Sequence, residues 1–308
     1  MNRQRGFSVI ELLVASAILC LVSGAVLGLL HDGLAGTPVL EETTDLHQRA
    51  RVVVDAIATE LRGAAAGTPT GALSRYFAAV EPRRPSDGIG VASAEVVTIR
   101  YVPAGGAHTR LAQPLAPGAT TAILDNTGCP VSTSACGFAA NTAAVLFDTN
   151  GNASIVAIGA TGPGVLTISD VSAGRTITYP AASEIAEAMQ VTFSFDSGTR
   201  QLRRSEGGGM FAVADNVIGL TFEYFGDDFV PLSLAQFSDG PFLGSGATAF
   251  DADLLRLVAV RATVRLETGV DAMRGTNAVL FARPGSATGG RTIPDIVQRI
   301  DVTLRNRN

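Results

Sequence analysis

The chain has no tryptophan, three histidines and three cysteines in 308 residues, and only 17% of its residues are charged. The histidines, His31, His47 and His108, have no partner at the spacing of a metal pair or of a Ser-His-Asp set. Gly207-Gly208-Gly209 lacks the Lys-Ser/Thr of a phosphate loop and reads as a turn. Gly244-Ser245-Gly246 lacks the strand–turn–helix setting of a nucleophile elbow and reads as a flexible loop. There is no basic excess: the formal net charge is −5, which leaves no electrostatic footprint for nucleic acid. These absences predict a chain that is not an enzyme and does not bind nucleic acid. Glycine, alanine, threonine and valine are plentiful, as in a β-rich extracytoplasmic domain and unlike a disordered tail.

The longest feature present is apolar. Arg3 and Arg5 lead to Gly6, and Phe7 to Leu30 then contains a single ionisable side chain other than Cys20, that of Glu11. As a helix this run is about 36 Å long, enough to cross a hydrocarbon core of about 30 Å. The cationic leader predicts that residues 1–6 stay on the cytoplasmic side and that the rest of the chain lies beyond the membrane. A secretory signal carries its cleavage site after the apolar run. Here the small residue, Gly6, precedes it, so cutting at Gly6-Phe7 retains the helix. A carboxylate within such a helix costs about 2.5–3.5 kcal/mol on insertion scales, so Glu11 calls for a partner. Cleavage supplies one kind: the new amine of Phe7, one helical turn away, which a neighbouring copy shifted by a turn can set against Glu11. The plainer alternative is a carboxylate that snorkels to the surface or is protonated.

The stretch Gly6-Phe7-Ser8-Val9-Ile10-Glu11-Leu12-Leu13-Val14-Ala15 resembles the class III signal of type IV prepilins and type II secretion pseudopilins. The resemblance implies cleavage after Gly6 by prepilin peptidase, methylation of Phe7, and a role for Glu11 in setting subunit register. Two later stretches are similar to PilW-type minor pilins and, next, to J-type pseudopilins. One is the helix Leu46 to Ala64, with Arg49, Arg51, Asp55, Leu61 and Arg62. The other is Val213 to Tyr224, in which Asn216-Val217 precedes a strand ending in tyrosine. The closing Leu304-Arg305-Asn306-Arg307 is similar to the PilW-type terminus.

Along the chain, Gly33, Gly36 and Pro38 predict a kink or break where the helix leaves the membrane. Helical periodicity resumes at Glu41, and Leu46, Ala50, Val53, Ile57 and Leu61 define one apolar face. Strands are predicted at 94–102, 120–124, 143–148, 154–158, 165–169, 176–179, 189–195 and 200–204. Asn150-Gly151 marks a hairpin between 143–148 and 154–158. Asp215 can cap one helical turn before a strand bearing Leu220, Phe222 and Tyr224. Residues 226–252 read as loop, 254–266 as one long strand, and 296–304 as a strand that can begin with a helical turn. Residues 104–182 read as a β-rich insertion with no assignable motif.

Cys20 falls in the membrane helix and reads as inert packing. Cys129 and Cys136 read as a disulfide closing a small loop outside the cytoplasm, since no further ligands for a metal lie near them. Among the acidic residues Asp227, Asp228, Asp239, Asp251 and Asp253, the calcium candidates are Asp227, Asp228, Asp251 and Asp253; a solvated loop is the plainer reading. Asp148 to Asn152 has the look of a calcium loop, but a hairpin turn explains it better.

The expected fold is α+β and pilin-like: a long N-terminal helix packed on an antiparallel β-rich domain. It divides into a leader (1–6), a membrane and filament-core helix (7–36), an amphipathic helix (37–66) and a β-rich domain (67–308) with an insertion at about 104–182. The expected function is that of a minor pilin in the inner membrane and then in a pilus. Its implied partners are prepilin peptidase, other minor and major pilins, the inner-membrane assembly platform and lipid, with no cofactor beyond the calcium candidate. A J-type pseudopilin is the alternative, and a pilin-anchored binding module or enzyme a remote one.

Overall fold

The computed structural model describes residues 8–67, 78–84, 87–88, 90–103, 105–129, 135–150, 152–170, 175, 177–207, 209–243, 249–287 and 291–304. The chain divides into two compact units, Met1–Gln48 with Thr268–Asp295, and Arg49–Glu267 with Ile296–Asn308. The fold is α+β, with an apolar N-terminal helix followed by antiparallel sheets.

One helix, α1, runs from Val9 to Gly63, through Pro38. The predicted break at 33–38 is therefore corrected. A proline inside a helix forfeits a single rung, the bond to the carbonyl of Leu34, at a cost of about 3 kcal/mol. Long ladders on either side, the more so with good helix formers between Val39 and Gly63, outweigh one lost rung. Thr43 and Thr44 also turn their hydroxyls inward along the helix, donating to the carbonyls of Val39 (2.6 Å) and Leu40 (2.8 Å). Apolar side chains from Val9 to Leu30 are exposed along the whole stretch.

In the first unit, the segment Thr268–Asp295 is a loop structured by its own backbone. A 3-10 turn at Asp271–Met273 is followed by an isolated parallel bridge between Gly275 and Ala287. Phe281 is buried there, and Arg274 is buried and ion-paired with Asp271.

In the second unit, the last turns of α1 bury Val53, Ile57, Ala58 and Leu61 almost completely. Ala50 is equally buried, and so is Leu46 in the first unit, so the residues of the stripe read from the sequence are the buried ones. Each large member of such a stripe stabilises by about 1.5–3 kcal/mol. The helix ends in a turn through Gly67, whose φ of +73° and close approach to Val102 exclude a side chain: a Cβ there would lie 2.6 Å from the Val102 carbonyl oxygen.

The sheets are antiparallel throughout. The short strand β1 (Val80–Glu81) pairs with β2 (Val96–Tyr101). The strands of the inserted region are β3 (His108–Arg110), β4 (Thr121–Ile123), β5 (Thr142–Phe147), β6 (Ala153–Gly162) and β7 (Val165–Asp170). All of them meet at β8 (Glu184–Asp196), directly or through neighbours. Residues 189–194 of β8 pair with β2, and residues 191–196 pair with β9 (Gln201–Glu206), which pairs in turn with β10 (Gly209–Asp215). The first residues of the same strand, 184–188, pair with β3 and β5. From β5 the sheet continues through β6 and β7 to β4. One strand thus belongs to two half-sheets, and the inserted half has its own core around Leu111, Phe138, Leu146, Ile158, Leu166 and Tyr179. The expected hairpin stands between β5 and β6, where the Asp148 carboxylate accepts from the amides of Asn150 and Asn152, both at 2.9 Å.

A second sheet is built from β11 (Val217–Phe225), β12 (Pro231–Leu232), β15 (Ala259–Leu266) and β16 (Ile296–Thr303), in the order β12-β11-β15-β16. Between them lies a ribbon of β13 (Phe242–Leu243) with β14 (Phe250–Asp251). Leu220, Phe222 and Tyr224 share the buried face of β11, as expected, and Tyr224 meets Phe237 edge-on at 5.4 Å.

Four local expectations are corrected. Asp215 caps no helix: β10 passes to β11 through Asn216 alone, at φ +57°, a conformation asparagine tolerates. Residues 226–252 are not plain loop: those described carry β12, β13, β14 and two 3-10 turns, at Asp227–Phe229 and Leu234–Phe237. The strand expected from Leu254 begins only at Ala259. Asp251 accepts the amide of Asp253 and caps a 3-10 turn over Ala252–Arg256, which a count of apolar residues cannot distinguish from strand. At the other end, β16 is strand from Ile296 onward, without a helical start.

Candidate functional site

The chain's distinctive chemistry is at the start of α1. Ser8 stands just before the helix, and Glu11 is three residues on. The Ser8 amide donates to the Glu11 carboxylate at 3.0 Å, the Ile10 amide to the Ser8 hydroxyl at 3.4 Å, and the Leu12 amide to the Ser8 carbonyl at 3.1 Å. Ser8-Val9-Ile10-Glu11 is thus a capping sequence in which Glu11 satisfies an otherwise unpaired donor and meets the positive end of the helix. The S-x-x-E spacing before an apolar run announced this arrangement, and the sequence reading passed over it. Gly6 and Phe7, the expected cleavage pair, lie outside the described residues. Beyond the cap, Val9–Leu30 is long and apolar enough to span a membrane, with a mean hydropathy of 2.5 and none of it buried. Cys20 is exposed on this stretch.

Each unit holds its own part of α1 by polar contacts. In the first unit, Glu42 accepts from the Thr268 hydroxyl (3.0 Å) and the Gly269 amide (2.6 Å). In the second, Arg49 donates to the carbonyls of Asp215 and Glu267, both at 3.3 Å. About three turns further on, Glu60 accepts from the Tyr101 hydroxyl (3.1 Å) and from Arg204 (2.8 Å), which also pairs with Glu206. Within the second unit, the contacts of Arg49 and Glu60 fix the rotation and axial position of the helix on its sheet, which apolar packing alone specifies less sharply.

Burial, and then the Glu60 carboxylate, push the Tyr101 phenol from 10.0 up to about 12. Burial also pushes Tyr179 up to about 12, and it shifts Tyr224 in the same direction. A phenol held protonated in the folded state contributes stability that is complete below the unfolded value and is lost as pH rises through the folded one. The β-rich part is therefore expected to lose stability between pH 10.0 and 12. Tyrosinate absorbance of these three residues should rise together with the loss of β-structure measured by circular dichroism. Ionisation near pH 10.0 with the sheet intact would contradict the assignment.

Cys129 and Cys136 form the expected disulfide, with their Cα atoms 4.8 Å apart. The acidic residues sort differently from the sequence reading. Asp251 and Asp253 come together with Asp239, their carboxylate oxygens within 4.8 Å of one another, whereas Asp227 and Asp228 sit in the 3-10 turn between β11 and β12. Asp251 is buried, and its two oxygens accept the amides of Asp253 (2.9 Å) and Gly240 (2.6 Å), which accounts for its position without an ion.

Residues 1–27 match the family model described as the prokaryotic N-terminal methylation motif. No curated protein matches the chain. The motif implies processing by prepilin peptidase and assembly with other pilins, and the apolar helix fits an inner-membrane anchor with the globular part outside. The N-terminal motif and the α+β architecture behind it support a type IV pilin or pseudopilin.

Proposed function

We propose that this chain is a minor pilin of the PilW type, a subunit without catalytic activity that acts in the initiation of type IV pilus assembly or at the pilus tip. The observation that carries this reading is the methylation motif joined directly to an apolar helix with exposed side chains. In this reading prepilin peptidase cuts between Gly6 and Phe7, Phe7 is methylated, and Glu11 receives the Phe7 amine of a neighbouring subunit. The helix leaves the bilayer for the filament because neighbouring helices rebury its apolar face. The likeness of Leu304-Arg305-Asn306-Arg307 to the PilW type favours a minor pilin over a J-type pseudopilin.

Crosslinking in the native membrane followed by mass spectrometry tests this. All 23 side-chain cations of the Lys/Arg class are arginine, so a photoactivatable or carboxylate-directed reagent is needed in place of an amine-directed one. Recovery of minor pilins and the assembly platform, with a mature chain beginning at methylated Phe7, is the expected result. Recovery of secretion pseudopilins would move the protein to the J-type reading. An intact Met1–Gly6 leader with neither set of partners would overturn both.

A further inference from the structure

The last strand of the second sheet has an open side. β16 pairs with β15 without a register shift from Ile296 to Thr303, and among the described residues no strand pairs with its other edge. Its orientation follows from one bond just beyond it: the Leu304 amide donates to the Val258 carbonyl at 2.8 Å. In an antiparallel ladder both backbone groups of a residue point the same way, and they alternate along the strand. Ile296, Gln298, Ile300 and Val302 therefore bond to β15. Val297, Arg299, Asp301 and Thr303 turn their amides and carbonyls to the open side.

Free edges of this length are usually blunted by proline, a bulge, a covering segment or charged side chains, and charges that match those of a second copy lose that protection against it. β16 has no proline and no bulge, and its outward residues carry one cation and one anion, both exposed. We propose that a second copy of this chain pairs antiparallel with the open edge of β16, in the register centred on Ile300.

The charges select that register. Only outward residues can face outward residues, so symmetric registers move in steps of two. With Ile300 on the two-fold axis, Arg299 faces Asp301 of the second copy twice, and Val297 faces Thr303 twice. Centring the pair on Arg299 sets arginine against arginine; centring it on Asp301 sets aspartate against aspartate. The Ile300 register makes about eight new backbone bonds. It also brings Ile300 against its symmetry mate and Gln298 against Val302, extending the half-buried side of the sheet. Asp301 is already aligned by Arg261, which donates to both of its oxygens at 2.6 and 3.2 Å. The product is one sheet of eight strands, with the two copies of β16 at its centre.

Sedimentation of the full-length protein in detergent micelles tests the proposal. The wild type is expected to have the protein mass of a dimer. Arg299→Glu places like charges at both contacts and should raise the dissociation constant about tenfold or more, whereas Arg299→Lys should retain the dimer. Thr303→Pro removes an outward amide and none of the bonds to β15, and should also weaken the dimer. Comparing these variants separates edge pairing from association through the apolar helix in micelles. If Thr303→Pro disturbs the strand, Arg299→Glu decides alone. A monomeric wild type, or a dimer indifferent to Arg299→Glu, overturns the proposal. So does a monomer whose β16 takes a strand from a different protein.

Discussion

Replacing Glu81 with alanine is expected to destabilise the β-rich part by about 3–5 kcal/mol, the cost of leaving buried charge without its counter-ion. Glu81 is 1% exposed on β1 and lies between two buried guanidinium groups. One of its oxygens accepts from Arg83 at 2.8–2.9 Å, and the other from Arg100 at 2.6 Å. Arg83 reaches on to the carbonyls of Asp87 (3.0 Å) and Ala249 (2.9 Å), and Arg100 to the Gln190 side chain (2.8 Å). The cluster therefore ties the segment after β1, the strand β8 and the approach to β14 to a single carboxylate. Against a typical domain stability of about 5–15 kcal/mol, its loss is a large fraction. Chemical denaturation followed by circular dichroism measures it. Glu81→Gln should cost less than alanine, because an amide oxygen still accepts from one arginine. A loss under about 1 kcal/mol would mean that the carbonyls already satisfy both cations.

Glu11→Ala is expected to deplete the subunit from sheared filaments about tenfold or more while leaving its amount in the membrane unchanged or higher, if one charge-assisted contact of about 1.5–3 kcal/mol is lost at assembly. The sign of the membrane arm matters. Removing a carboxylate from a spanning helix favours insertion, so poor anchoring cannot account for depletion. The cap on Ser8 supplies the control. Glu11→Gln keeps an oxygen to accept the Ser8 amide, a bond of 3.0 Å in the native chain, but removes the charge. If the charge receives a neighbour's amine, glutamine should be depleted like alanine. If the carboxylate serves only to start the helix, glutamine should assemble like the wild type. Immunoblots of sheared filaments and of membranes distinguish the two.

The parts of this fold that could be read from the sequence are those set by near neighbours. Leu46, Ala50, Val53, Ile57 and Leu61 are buried as their spacing requires, and the expected hairpin stands between β5 and β6. Pro38 misled because a local rule was applied to a helix long enough to absorb the defect. Leu254 misled because apolar residues serve a 3-10 turn as well as a strand, and the deciding group, the Asp251 carboxylate, lies outside the apolar pattern. The Glu81–Arg83–Arg100 cluster was not legible at all. Glu81-Pro82-Arg83-Arg84 carries no apolar pattern, and the cluster depends on partners far along the chain: Arg83 reaches Ala249, 166 residues away, and Arg100 reaches Gln190, 90 residues away. At the N-terminus the reverse holds: the motif, its cap and its apolar run are local, and the sequence carries all three.

The sharing of β8 between two half-sheets sets an order of events in time. β2 must wait for residues 189–194, whereas β5, β6, β7 and β4 find one another within residues 121–170. Contacts close in sequence form first, because they close the smaller loops. While the inserted strands assemble, β2 has β1 on one side but still lacks β8 on the other, and that edge stays open to other chains. Only when β8 arrives do both halves close. The residues on which this sequence of closures depends most are the thirteen of β8 itself.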